Sequence, residues 1–207
     1  MRKKKHPDST KKLLCLDLDE TLIHAHATPF EHYQMIIKGD YMAVRPGVDA
    51  FLDRMAPFYD FMIWSNSGEV YVHDMLEAFW PQRHELKAIY TSKLSKPHVE
   101  NGYGIATYKE IWKISKRMNY RRGHIIALDD KPINFKFDYG NLIWADPFLG
   151  DPTDTHLEKV GNLLLNLAKV DNVRAVEKRW FKMQPQMYAT PVDQNPAGSD
   201  EGSPRLR

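Results

Sequence analysis

Leu13-Leu14-Cys15-Leu16, followed at once by Asp17-Leu18-Asp19-Glu20-Thr21-Leu22, restricts this chain more than any other stretch. A short apolar run bounded by polar residues reads as a buried strand. Side chains alternate along a strand, so Asp17 and Asp19 are expected to point the same way and Leu18 into the core. Two carboxylates held close together at the end of a buried strand need a cation, a shared proton or a catalytic role. The pair is therefore the first candidate for an active site.

The rest of the chain is ordinary enough to give that pair a conventional setting. With 207 residues, it is long enough for one α/β domain with a sizeable core. A net charge of +2 provides no global field that argues for nucleic acid. Cys15 is the one cysteine, which excludes a disulfide framework and favours an intracellular, soluble protein. No apolar run approaches membrane-spanning length, so no membrane partner is expected. Residues 1–11, including Arg2, Lys3, Lys4 and Lys5, read as a basic flexible tail without the apolar segment of a secretory signal.

Periodicity divides residues 12–183 into alternating strands and helices. Tyr33–Ile37 and Tyr41–Val44 flank Lys38-Gly39-Asp40 as a small hairpin insertion. Arg45-Pro46-Gly47 opens a helix with Val48, Phe51, Leu52 and Met55 on one face. Phe58–Trp64 is a second buried strand, and a helix from Glu69 to Phe79 follows. Ala88–Tyr90 resembles a strand, and the polar stretch 91–107 reads as a loop or small insertion. Tyr108–Met118 is helical by period. His124–Leu128 is a third buried strand running into Asp129-Asp130, and Leu142–Trp144 is a fourth. Thr155 and Glu158 have capping-box spacing before a helix carrying Leu157, Val160, Leu164 and Leu167. A short helix is expected over 173–183, and residues 184–207, rich in Pro, Gly and Ser, read as a disordered tail.

Strands separated by helices imply a Rossmann-like α/β fold, a parallel sheet with helices on both faces. Ligands bind such sheets at the carboxyl ends of the strands. There the sequence places Asp17 with Asp19, Ser65, and Asp129 with Asp130. This set suits phosphoryl transfer. An aspartate (Asp17) can attack phosphorus, and a second (Asp19) can protonate the leaving oxygen and then activate water. The oxygen-rich, sulfur-free acids Asp17, Asp129 and Asp130 favour Mg²⁺. A hydroxyl at Ser65 and a cation are wanted for the remaining phosphate oxygens. Lys109, read at the start of a helix, is the best candidate, with Lys93, Lys96 and Lys131 as competitors.

In this order the motifs resemble the haloacid-dehalogenase (HAD) superfamily, and within it the small C-terminal-domain phosphatases of the NLI-interacting-factor family. The supporting residues are Asp17–His24, Arg45–Leu52, Trp64–Ser67, Tyr108–Glu110 and Leu128–Pro132. The resemblance implies Mg²⁺-dependent serine/threonine phosphatase activity on a phosphorylated protein or peptide. It implies Asp17 as nucleophile, Asp19 as general acid/base, and Ser65, Asn66 and Lys109 as phosphate-binding residues. It also implies a metal held by Asp17, the Asp19 backbone carbonyl and Asp130, with Asp129 close by. Relatives usually carry Asp-Asn where this chain has Asp129-Asp130, and a bulky apolar residue where it has Gly68.

The spans 21–65 and 65–109 must each supply core elements. Neither leaves room for a lid domain, which needs on the order of 50 residues or more. The fold is expected to be capless, with an open site suited to phosphate on macromolecules. Two other readings are carried. One is a phosphatase of nucleic-acid ends or small phosphate esters, motivated by the basic tail and the lysines of 87–96. The other is a non-catalytic binding module of the same fold, disfavoured because all four aspartates are present. Bland roles are preferred for Arg45 (pairing at a helix start), Trp64 and Trp144 (core), Cys15 (buried filler) and His24-Ala25-His26 (rim).

Overall fold

Five parallel strands form the centre of the protein: β1 (Lys12–Leu16), β5 (Tyr59–Trp64), β6 (Leu86–Tyr90), β9 (Ile125–Asp129) and β10 (Leu142–Trp144). They lie in the order β10-β9-β1-β5-β6. The structure is a computed structural model that describes residues 11–100 and 104–178. The expected tails, and the end of the helix expected over 173–183, lie outside the described residues. Of that helix, a single 3-10 turn, Val173–Ala175, is described.

The middle strand is buried over its whole length, and its alternation feeds two cores. Leu14 and Leu16 join one apolar cluster with Phe51, Leu52, Leu76, Leu157, Val160 and Leu164. These come from α1 (Val48–Met55), α2 (Glu69–Phe79) and α4 (His156–Ala168). Leu13 and Cys15 point to the opposite face and pack with Met62, Trp64, Ile111, Ile114 and Phe135. That face is covered by α3 (Ile111–Met118). The α/β layering and helices on both faces are as the sequence implies. Burying a large aliphatic side chain is worth about 1.5–3 kcal/mol, so the double-sided strand β1 is a rigid base for the turn at its carboxyl end.

The chain runs outward from β1 to β5 and β6, then returns to place β9 on the other side of β1. The β1/β9 crevice is therefore the topological switch point. Asp17 N–H donates to Leu128 O at 3.0 Å, which extends the β1–β9 ladder to the first catalytic candidate.

Two small antiparallel sheets decorate this core. The hairpin of β3 (Met35–Ile37) and β4 (Asp40–Val44) is present, but β2 (Ile23–His26) adds a third strand to it. The described residues of the stretch 91–107 form a small insertion rather than a plain loop. They hold a 3-10 turn, Ser92–Leu94, and a hairpin of β7 (Lys96–Glu100) and β8 (Gly104–Tyr108). Tyr108 therefore ends a strand rather than starting a helix, and α3 begins at Ile111.

Of two helix starts, that of α1 follows the sequence reading and that of α4 differs in detail. Gly47 sits at φ 80°, a left-handed conformation that glycine adopts without penalty, and this turns the chain into α1. The expected cap of α4 by Thr155 is not formed. Asp154 Oδ1 instead accepts from His156 N–H at 2.8 Å. The same carboxylate receives Arg45 Nε at 2.9 Å and Nη2 at 2.8 Å, and Arg45 Nη1 donates to Thr21 O at 3.0 Å. Arg45 pairs as expected, fully buried, and ties the loop after β1 to the start of α4.

Candidate active site

Strand β1 ends at Leu16, and the chain then turns tightly. Leu22 N–H donates to Leu18 O at 2.9 Å, and Glu20 takes a positive φ of 56°. Leu18, between the two aspartates, is fully buried, as alternation implies. Asp19 reaches across to the residues after β5. Both aspartates line one open cavity of about 310 Å³ with Glu20, Asn66, Ser67, Lys131 and Asn134.

Lys109 lies in the two-residue link between β8 and α3, not on the helix, and is 1% exposed. Its backbone N–H is fixed by Asn134 O at 2.7 Å. Its ammonium donates to Asp17 Oδ1 and to Asp129 Oδ2, each at 2.5 Å. Burial alone would lower its pKa, but Asp129 and Asp17 outweigh that and raise it, so Lys109 stays charged. Lys93 and Lys96 are engaged elsewhere, with Glu69 and Glu110.

Asp129 is held by three donors. Oδ1 accepts from Lys131 N–H at 2.8 Å and Asn134 Nδ2 at 2.9 Å, and Oδ2 accepts from Lys109. Asp17 is less satisfied. Its Oδ2 receives only a long hydrogen bond from Thr21 Oγ1, 3.3 Å, among the described residues. Burial and the Asp129 charge, partly offset by Lys109, push the Asp17 carboxyl up to about 8. Asp130 is pushed up to about 6, chiefly by burial, against the opposing charge of Lys131.

Ligand oxygens of Asp17, Asp129 and Asp130 lie within 4.8 Å of one another. Asp130 Oδ1 is buried with no hydrogen-bond partner among the described residues, a costly state for a carboxylate oxygen unless a cation takes it up. An all-oxygen donor set with unbalanced negative charge fits a hard divalent cation. The Asp19 carboxylate stands apart from this group. It accepts from Tyr71 OH at 2.5 Å (Oδ1), and from Ser67 Oγ at 2.8 Å and Ser65 Oγ at 3.2 Å (both Oδ2).

Ser65 is fully buried and also accepts from Ser67 N–H at 3.0 Å, so its hydroxyl organises the β5–α2 turn around Asp19. Asn66 lines the cavity, anchored to Asn134 Oδ1 at 3.2 Å and to Ser95 Oγ at 2.6 Å. Trp64 Nε1 donates to Ser95 Oγ at 3.0 Å, so the buried indole supports the same turn. Ser67, Tyr71 and Asn134 are site residues that the sequence reading does not single out. The Ser-Asn-Ser run at a strand end is a usable signal for Ser67. Tyr71 on an amphipathic helix offers none. Trp144, expected in the core, is 40% exposed and donates from Nε1 to Asp130 O at 2.9 Å.

Comparison with known proteins agrees with this architecture. The family model described as NLI interacting factor-like phosphatase matches residues 12–174. The CTD nuclear envelope phosphatase 1 homolog of Drosophila melanogaster is 28% identical over 185 residues, covering 82% of this chain and 72% of that protein. Nuclear envelope morphology protein 1 of Saccharomyces cerevisiae is 26% identical over 164 residues, 71% of this chain but only 37% of that protein. The chain thus spans little more than a third of the yeast relative. Among solved structures, Fcp1, an essential RNA polymerase II CTD phosphatase, shares the fold with a TM-score of 0.57 at 14% identity, over 77% of this chain and 62% of that one. The chain belongs to the NLI interacting factor-like phosphatase family, and its α/β fold is of the HAD type.

Proposed function

From membership of that family we propose that this chain hydrolyses phosphate monoesters on protein serine or threonine through a phosphoryl-aspartate formed on Asp17. The observation that carries the reading is the asymmetry of Asp17. One oxygen is locked by Lys109, while the other has a single long contact and the side chain lines an open cavity.

In the first step Asp17 Oδ2 attacks phosphorus and the ester P–O bond breaks. Asp19 gives its proton to the departing serine or threonine oxygen. In the second step Asp19 takes a proton from water, the water oxygen attacks phosphorus, and the P–O bond to Asp17 breaks. Inorganic phosphate leaves and the Asp17 carboxylate is restored. Tyr71, Ser67 and Ser65 hold Asp19 at one position for both transfers. Lys109 keeps Asp17 oriented and offsets charge beneath the phosphoryl group. Asn66 and Ser67 offer hydrogen bonds to phosphate oxygens at the mouth.

Mg²⁺ fits the acid group. Asp17, Asp130 and the Asp19 carbonyl would hold it, and it would supply positive charge that lets an anionic nucleophile meet an anionic ester. Asp129, already held by three donors, anchors Lys109 and the loop after β9.

A protein substrate is favoured because, among the described residues, the two insertions are a three-stranded sheet and a hairpin and leave the cavity open. The nucleic-acid reading gains nothing from the described residues. Lys87, Lys93 and Lys96 are each paired with a glutamate. Turnover of an aryl phosphate and a phosphoserine peptide with Mg²⁺, by wild type and Asp17→Asn, tests the reading. Loss of turnover in the variant is expected, and undiminished activity would sink the mechanism.

A further inference from the structure

Lys131 is the one cation among the described residues lining the active-site cavity. Its main chain is immobilised. The backbone N–H donates to Asp129 Oδ1 at 2.8 Å, and its carbonyl accepts from Asn134 N–H at 3.0 Å. Its side chain is not. The side chain is 58% exposed, and the ammonium's one ion pair among the described residues is with Glu20 Oε2, at 3.4 Å. A fixed Cα thus carries a loosely held charge at the mouth of the site.

Charge balance gives that arrangement a purpose. Among the described residues, Asp17, Asp19, Glu20, Asp129 and Asp130 set five carboxylates against two ammonium groups, Lys109 and Lys131. Lys109 is buried between Asp17 and Asp129, with two of its donors used there. A divalent cation does not by itself make this site positive enough to attract a dianionic phosphate ester. An exposed cation beside the nucleophile is needed for binding, and Lys131 is placed to be it. Glu20 then acts as a stand-in anion. It holds Lys131 over the cavity in the absence of substrate, and its other oxygen lies 3.5 Å from His24 Nδ1.

We propose that Lys131 is a substrate-binding residue that exchanges Glu20 for a non-bridging oxygen of the reacting phosphate, so that Glu20 competes with substrate for it. The proposal rests on the phosphatase reading of the site, but it concerns anion binding and can be measured without turnover. The test is calorimetric titration with inorganic phosphate, in the presence of Mg²⁺, of wild type, Lys131→Ala, Lys131→Arg and Glu20→Gln. The Lys131 side chain is 58% exposed and its one ion pair among the described residues is the 3.4 Å contact with Glu20, so its variants should melt like wild type.

The expected result is a phosphate Kd raised about tenfold in Lys131→Ala, as for loss of a charge-assisted hydrogen bond. In Lys131→Arg the Kd should stay within about threefold of wild type, and in Glu20→Gln it should tighten about twofold, the scale of an exposed ion pair. With an aryl phosphate, KM should rise in Lys131→Ala while kcat stays within about twofold of wild type. Phosphate binding in Lys131→Ala equal to wild type would overturn the proposal, and so would a fall in kcat with KM unchanged. Phosphate binding that depends on Lys131, in a chain that hydrolyses no ester, would uphold the anion site and remove the phosphatase reading instead.

Discussion

Asp17 and Lys109 form a buried ion pair at 2.5 Å, and the same ammonium is claimed at 2.5 Å by Asp129. One positive charge cannot neutralise two buried carboxylates once both are ionised, so negative charge is left uncompensated at the carboxyl end of the central strand. That imbalance is the physical reason the site suits a cation and a reactive oxygen, and it has measurable consequences.

Stability of the metal-free protein should fall as pH rises from about 4 to about 8. The Asp17 carboxyl is pushed up to about 8 by burial and by Asp129, with Lys109 opposing. Between its unfolded value and 8, the folded state binds the extra proton, so raising pH favours unfolding. Asp17→Asn should flatten this decline and raise the melting temperature above pH 8 even though it removes the nucleophile. Thermal melts in chelator across pH 5–9 check it, and an unchanged pH slope in the variant would contradict it.

Mg²⁺ should bind more tightly as pH rises from 6 to 8. Asp130, pushed up to about 6, and Asp17 must give up protons before they can act as ligands. Titrations in buffers of different ionisation enthalpy should show proton release on binding, and no release would count against the assignment of these two ligands.

Lys109→Met should cost stability as well as activity. It leaves Asp17 and Asp129 buried without their shared counter-charge, a loss of roughly 3–5 kcal/mol for a broken buried pair. Urea denaturation in chelator reads the loss, and Mg²⁺ should restore part of it. A stability within 1 kcal/mol of wild type, roughly the scale of an exposed pair, would mean the contact is not formed.

Tyr71→Phe removes one of three hydroxyls on Asp19 and leaves the ring packing. The expected effect is a fall in kcat of roughly tenfold with little change in KM, since one hydrogen bond to a charged group is lost where the proton moves. Steady-state kinetics on a phosphopeptide checks this, and a change confined to KM would assign Tyr71 to substrate binding instead.

Sequence alone locates the ends of β1, β5 and β9 well because each is an apolar run stopped by polar residues. Asp17, Ser65 and Asp129 fall at those ends. It does not reveal β2, where Ile23-His24-Ala25-His26 does alternate but is only four residues long, too short a run to stand out. Nor does it reveal the β7–β8 hairpin, where Pro97 and Gly104 argue against strands. The partners of Asp19 are hidden for a different reason, since Ser65, Ser67 and Tyr71 reach it from the turn after β5 and from α2. Lys109 is identifiable as a candidate, but its burial between two carboxylates depends on Asn134, Asp129 and Asp17 meeting across the sheet. Tyr71 depends on the packing of α2 against the turn after β1, which no local pattern encodes.

The most direct measurement is to trap the covalent intermediate. Protein mixed with a phosphoserine peptide and Mg²⁺, quenched in acid within one turnover and digested, should yield the peptide containing Asp17 with the added mass of one phosphoryl group. That mass should be absent from Asp17→Asn. A phosphoryl group found on another residue, or peptide hydrolysis at full rate with Asp17 unmodified throughout, would contradict the account.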